Sequence, residues 1–363
     1  MNPDLHGARA RFVVVVSGWL LALLALLPVP VHAAHLEFVA EVPGTVQDMN
    51  WQRILYMTYE DGQNRLKVMN RINGTVRTIP GAEPSRGWLT AHGVLFSTAA
   101  NFQLYEWSAG STPSLVEGFV AGYNESVQLS PVTRRYGIWP RFVPETGVRL
   151  VRRDFVRGTT TVLGNDTVVT EPNAGISDYG VVAYSQAPSP YNIFRYRDGN
   201  TTQLTTDGPN MNPLTDGIRV VYRNTTPAGR FRIVMHSDAT GEIVLAPPTA
   251  LTENYYRANS AYAVSSGWVA FTRIAYFELA PYRQVWLRSP DGVLSHVSAF
   301  ESDNYINAMH KNEVMFVNSN YLFLGRPDEA PVLIAPFAAG TQSFWLTDGW
   351  YVRYSGQLYK VVL

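Results

Sequence analysis

The 363-residue chain contains no cysteine. That removes disulfides, thiol nucleophiles and cysteine-based zinc centres at once. Neither charge is in excess, since 29 lysines and arginines face 29 aspartates and glutamates. Such a balance gives no electrostatic footing for nucleic acid or for an anionic membrane surface. Several chemical signatures are also missing. There is no Gly-x-Ser-x-Gly elbow, no His-Glu-x-x-His, no phosphate-binding loop and no Asp-x-Asp-x-Asp-Gly calcium loop. No amphipathic stretch of helical period is long enough to pack as a helix. The expectation is an all-β protein held by its core, with no cofactor and no metal site.

The first segment stands apart from the rest. Arg9 and Arg11 precede an apolar run from Phe12 to Val31, and His32-Ala33-Ala34 follows. A basic start, an apolar centre and a small-residue exit read as a secretory signal peptide, cut after Ala33 or Ala34. The division is therefore residues 1–33 as signal peptide and 34–363 as one domain, secreted or periplasmic. The run is also long enough to span a bilayer, so an uncleaved anchor is the alternative; Pro28 and Pro30 favour cleavage. Without Arg9, Arg11 and Asp4 the remainder carries 27 basic and 28 acidic residues. An exported chain without disulfides needs a large core, and a length of about 330 residues permits one.

An internal repeat fills that length. Aromatic anchors stand at Tyr56, Phe96, Trp139, Tyr184, Tyr222, Phe271, Phe316 and Tyr354, spaced 38 to 49 residues apart. In seven copies Val or Ile sits two positions earlier, as in Ile54, Val94 and Val182. Turn residues such as Thr215-Asp216-Gly217 and Thr347-Asp348-Gly349 lead into these strands, and alternation such as Ile218, Val220, Tyr222 follows. A second hairpin comes about ten residues later in each unit, through Asn73-Gly74, Asp198-Gly199 or Asp291-Gly292. Four strands per unit of 40–45 residues is the pattern of a β-propeller blade. A two-sheet sandwich would not need so regular a period. The eighth unit lacks its fourth strand, while an orphan strand, Leu36 to Val42, precedes the first. Pairing that orphan beside Gln357–Leu363 would close a ring of eight four-stranded blades and leave no free edge.

Between units four and five the pattern sharpens. Ile193-Phe-Arg-Tyr, then Leu204-Thr-Thr-Asp-Gly208, Pro213 and Asp216-Gly-Ile-Arg-Val-Val-Tyr222 resemble a TolB-type propeller repeat. The match is clear over residues 187–222, and the usual Ser-Pro-Asp-Gly turn is altered elsewhere. The resemblance implies a TolB-like propeller and carries no activity, because that repeat serves scaffolds, peptidases and lyases alike.

Chemistry-bearing residues are dispersed. His35, His92, His236, His296 and His310 fall on different units. Glu60-Asp61, Asp154, Glu171, Asp178, Glu253 and Glu278 offer carboxylates, but the separation that glycoside hydrolysis requires cannot be read from spacing. An arginine group on unit three, Arg134-Arg135 with Arg149 and Arg152-Arg153, suits a carboxylate or sulfate as well as a solvated strand face. Polar side chains recur just before each first hairpin: Asp48, Arg86, Gln128, Asn173, Asn212, Asn259, Asn307 and Gln342. The first strand of a blade lines the central channel, so these eight form the candidate binding site. They serve equally to satisfy backbone groups there. Five Asn-x-Ser/Thr sequons begin at Asn73, Asn124, Asn165, Asn200 and Asn224.

The functional expectation is a monomeric, non-enzymatic binding module or scaffold that recognises a protein or glycan through one ring face. The alternative is a secreted carbohydrate-active enzyme, a glycosidase or a polysaccharide lyase, a lyase drawing its base from His92, His310, Tyr255 or Tyr256 and using Arg86 against a uronate. An enzyme would gather these groups in one cleft; a scaffold would scatter them.

Overall fold

The structure of the protein is a computed structural model. It describes residues 34–363 apart from 82, 99–102, 119–132, 144–146, 164–173, 187–190, 250–260, 278–279 and 339. The expected signal peptide lies outside these residues, as do Gln128, Asn173 and Asn259, Tyr255 and Tyr256, and the sequons at Asn124 and Asn165. No helix among the described residues is long and apolar enough to cross a membrane.

The protein is an eight-bladed β-propeller. Its blades span 45–78, 84–117, 136–163, 174–203, 210–249, 262–296, 304–336 and 342–362. Each is an antiparallel sheet; seven have four strands, and blade 3 has three among the described residues. The fourth strand of blade 8 comes from the other end of the chain. His35–Glu41 pairs with Gln357–Val362, setting Leu36 opposite Val361 and Phe38 opposite Tyr359.

Strand alternation explains how the ring coheres. Successive side chains on a strand point to opposite faces, so the second strand of each blade feeds two cores. Tyr56, Phe96, Trp139, Tyr184, Tyr222, Phe271 and Phe316 enter the core shared with the preceding blade. The residues just before them, Leu55, Leu95, Ile138, Ala183, Val221, Ala270 and Met315, enter the core shared with the next. Eight such clusters join the eight blades in a closed circuit, and the one between blades 8 and 1 unites Leu346, Tyr351 and Leu358 with Val46 and Tyr56. Blade 8 departs from the expected anchor. Its fully buried residue is Val352, with Tyr351 facing blade 1, while Tyr354 is only half-buried. The aromatic signal lies two residues late because Trp350 and Trp345 already fill that interface.

The inner strands run close together at the axis. A Cβ on Gly175 of blade 4 would sit 2.8 Å from the Pro213 carbonyl oxygen of blade 5, so only glycine allows that approach. Three inner strands carry a bulge opposite the anchor: near Gln47 in blade 1, at Asn212-Pro213 in blade 5 and at Asn307 in blade 7. Asn212 adopts φ 55° there, a left-handed conformation that asparagine tolerates better than most residues.

Candidate functional site

The ring has two faces. One carries the turns joining first to second and third to fourth strands; we call it the turn face. The other carries the second-to-third turns and the crossings between blades; we call it the crossing face.

Asp48 lies at the turn-face end of the blade 1 inner strand, and its carboxylate is fully engaged. Arg134, from the turn entering blade 3, reaches across blade 2 and grips it with Nη1 at 2.5 Å and Nη2 at 2.8 Å. The same guanidinium donates to the carbonyls of Leu89 and Met49. Asp48 also accepts the amides of Met49 and Leu89. One ion pair thus ties three consecutive blades.

Arginines repeat this task around the turn face. Arg53 donates to the Thr90 and Gly93 carbonyls. Burial, with Arg134 close by, pushes its pKa down. Arg219 holds the same place in blade 5, as first residue of the second strand, and donates to Gly267, Ser289 and Pro290 of blade 6. Arg152 reaches Gly180, and Arg197 reaches Gly217. These latches join neighbouring blades and leave the arginines unavailable to a ligand.

The other candidates divide. Asn307 bonds Ser343 of blade 8. Gln342 donates to the Val46 carbonyl of blade 1 at 2.9 Å, and its buried Oε1 has no partner among the described residues. Asn212 offers its backbone carbonyl to the Tyr262 hydroxyl at 2.6 Å, while its side chain makes no hydrogen bond among the described residues. Among the described residues Arg86 has no ion pair; its guanidinium lies 5.4 Å from the Trp88 ring. Surrounding protein lowers the Arg86 pKa by desolvation, although the residue stays exposed. Arg86 and Asn212 are each third in their inner strands, towards the crossing face. Tyr305, second in its strand and 41% exposed, stands at the same end in blade 7, with Arg283 stacked on its ring. Tyr59, Tyr276 and Tyr321 are exposed at second-to-third turns of that face.

The groups an enzyme would gather are apart. His92 lies in the turn face of blade 2 and His310 ends the inner strand of blade 7 at that same face. Arg86 is three residues, about 10 Å of strand, from the turn-face end of its own strand. His310 stacks on Trp345 with centroids 4.1 Å apart, and burial lowers its pKa. His296 stacks likewise on Trp286 at 4.5 Å. Many carboxylates have cationic partners: Glu60 with Lys67, Asp154 with Arg135, Asp238 with Arg195 and Arg197, Glu313 with Arg326, Asp348 with Lys360. Among the described residues no three histidines or carboxylates gather as a metal site.

The TolB-type residues prove to be latches too. Thr205 Oγ1 accepts the Ile193 amide and a bond from Asn210. Asp216 accepts the amides of Ile218 and Arg219 through Oδ1 and that of Gly267 in blade 6 through Oδ2. A buried pair missed in the sequence, Asn210 with Asn224, recurs as Asn304 with Asn318 in blade 7. Its signal was Asn at the head of the inner strand and again fourteen residues later. Asn224 is therefore buried in the fold, whereas the sequon residues Asn73 and Asn200 are exposed.

The chain is an eight-bladed β-propeller in fold. Neither a protein-family profile nor a curated protein matches its sequence. Solved structures do resemble it. The β-propeller domain of the Trilobed protease from Pyrococcus furiosus, described as having an open velcro topology, aligns over 84% of this chain and 99% of that one, with TM-score 0.44 and 10% identity. TolB from Acinetobacter baumannii aligns over 78% and 81%, with TM-score 0.34 and 10% identity. A puromycin-hydrolyzing peptidase from Mycobacterium tuberculosis aligns over 86% of this chain, with TM-score 0.41 and 14% identity; the chain spans 55% of that peptidase. At such identities and TM-scores these likenesses carry no role or activity to this chain.

Proposed function

We propose that the protein is an exported, non-catalytic binding module that recognises a protein or glycan partner through the crossing face. The observation carrying this reading is a set of polar and aromatic groups left free on one face. Asp48 at the turn face is consumed by blade-to-blade bonds, and Gln342 towards the crossing face also bonds its neighbouring blade. Towards the crossing face Arg86 and the Asn212 side chain have no hydrogen-bond or ionic partner among the described residues, and that face also exposes Tyr59, Tyr276, Tyr305 and Tyr321. Tyrosines and an unpaired guanidinium suit sugar stacking and protein hot spots. A lyase reading is disfavoured because proton abstraction needs a base and a charge stabiliser at one place, and His92 and His310 lie at the opposite face from Arg86.

The test has two arms. Purified protein is screened against glycan and peptide arrays, and Arg86→Ala and Tyr305→Ala should each weaken any hit at least tenfold. Polysaccharides are also incubated with the protein and followed by ultraviolet absorbance of unsaturated uronates. Product formation lost in His92→Ala or His310→Ala would replace the binding reading with a lyase. Export is checked by intact mass: the mature chain should begin at Ala34 or His35, and retention of Met1 would favour the anchor.

A further inference from the structure

The interface between blades 2 and 3 holds more positive than negative charge. Arg149, Val151 and Arg153 alternate along one strand of blade 3, and Arg141 stands opposite Arg149 on its neighbour. Val151 lies in the core shared with blade 2, so the period of two turns these three arginines to that side. Blade 2 supplies two glutamates. Glu106 takes Arg153 Nη2 at 2.9 Å. Glu117 takes Arg141 Nε at 2.5 Å and the Trp139 indole at 3.2 Å. Nothing among the described residues answers Arg149. Its residue is 7% exposed, and its Nη1 is closed off without a hydrogen-bond partner. By contrast Arg219, equally buried, spends its guanidinium on three carbonyls.

A buried guanidinium without a counter-charge is strongly unfavourable. We infer that Arg149 is a recognition residue for a carboxylate carried by a ligand, held between blades 2 and 3 and entered from the crossing face. Arg149 is third in its strand, at the end beside the second-to-third turn, and a guanidinium binds a carboxylate through two parallel N–H donors. Arg141 stands next to it as a second positive group already oriented by Glu117. This site is separate from the channel and stands whether or not Arg86 binds anything.

The experiment is thermal unfolding with sodium galacturonate, sodium acetate or sodium sulfate, each compared with sodium chloride at equal ionic strength. Galacturonate and acetate should raise the wild-type midpoint by ~2 °C or more in a saturable manner. Arg149→Met should lose that response and, in chloride, melt at or above the wild type, because the unpaired charge is gone. Arg149→Lys keeps the charge without the planar fork and should bind at least tenfold more weakly by calorimetry. A larger shift with sulfate than with either carboxylate would overturn the assignment of a carboxylate. A wild type indifferent to all three salts, an equal response in Arg149→Met, or an Arg149→Met protein that melts well below wild type in chloride would overturn the site itself, since the last shows a counter-charge inside the chain.

Discussion

Deleting Gln357 to Leu363 should unfold the ring rather than trim its edge. The deleted strand is paired on both sides. Six of its positions pair with His35–Glu41, and four pair with Tyr351–Tyr354. Leu358 and Val361 within it are buried in two different blade interfaces, with blade 1 and with blade 7. Burying a Val or Leu side chain contributes about 1.5–3 kcal/mol, so these two account for roughly 3–6 kcal/mol. Leu36 and Val39, half-buried against the same clusters, lose their support as well. Domain stabilities of about 5–15 kcal/mol leave little after such a loss, and the bare edge of Gly349–Tyr354 invites association. The truncated protein should be aggregated or show no cooperative guanidinium transition, and the heptapeptide supplied in trans should restore part of the signal. A milder probe is Leu358→Ala, expected to cost about 2–5 kcal/mol with unchanged denaturant dependence. A soluble, monomeric truncation with a wild-type midpoint would refute closure by this strand.

Two further outcomes follow from the latches. Asp48→Ala should destabilise by about 2 kcal/mol, because two backbone amides and Arg134 lose their acceptor, with the partial exposure of the pair reducing the charge contribution; a double-mutant cycle with Arg134→Met should give ~1 kcal/mol of coupling, and strictly additive effects would count against the bridge. Burial alone would raise the Asp154 pKa, but bonds from Arg135 and from the amides of Val156 and Arg157 outweigh it and hold the carboxyl below its ordinary value. Its stabilisation is therefore complete above the unfolded pKa of about 3.9 and lost as pH falls through the depressed folded one; Asp154→Asn should flatten the dependence of stability on pH below pH 4, and an unchanged slope would show that the pairing is not felt.

The architecture was legible because it is written in two overlapping periods. The 40-residue recurrence located the blades, and the period of two within each second strand specified which residue faced which neighbour. Tyr56 and Leu55 show how little ambiguity remained: a slip of one residue would exchange their cores. Blade 8 escaped because its interface is filled by Trp345 and Trp350, so that an aliphatic residue, Val352, completes it. Long-range polar partners were not legible. Arg134 and Asp48 are 86 residues apart, and no local pattern announces that a side chain will cross an entire blade.

The candidate site was harder to read for a reason rooted in repetition itself. Polar residues at matching offsets suggested a ring of ligand contacts, yet matching offsets are what the fold's own needs produce. Every inner strand must bond its neighbours, and every turn must be joined to the next. Asp48, Asn307 and Gln342 answer such needs, as do Arg53 and Arg219 at one equivalent position in two blades. A ligand is seldom eightfold symmetric, so its recognition falls to residues that break the pattern. Arg86 has no charged partner in its blade, and Arg149 is the third arginine facing two glutamates. Each is polar where the repeat does not require it, and neither is consumed by a neighbouring blade. In a propeller, recurrence therefore marks the groups that hold the ring, and the unpaired exception marks where to look for what the ring holds.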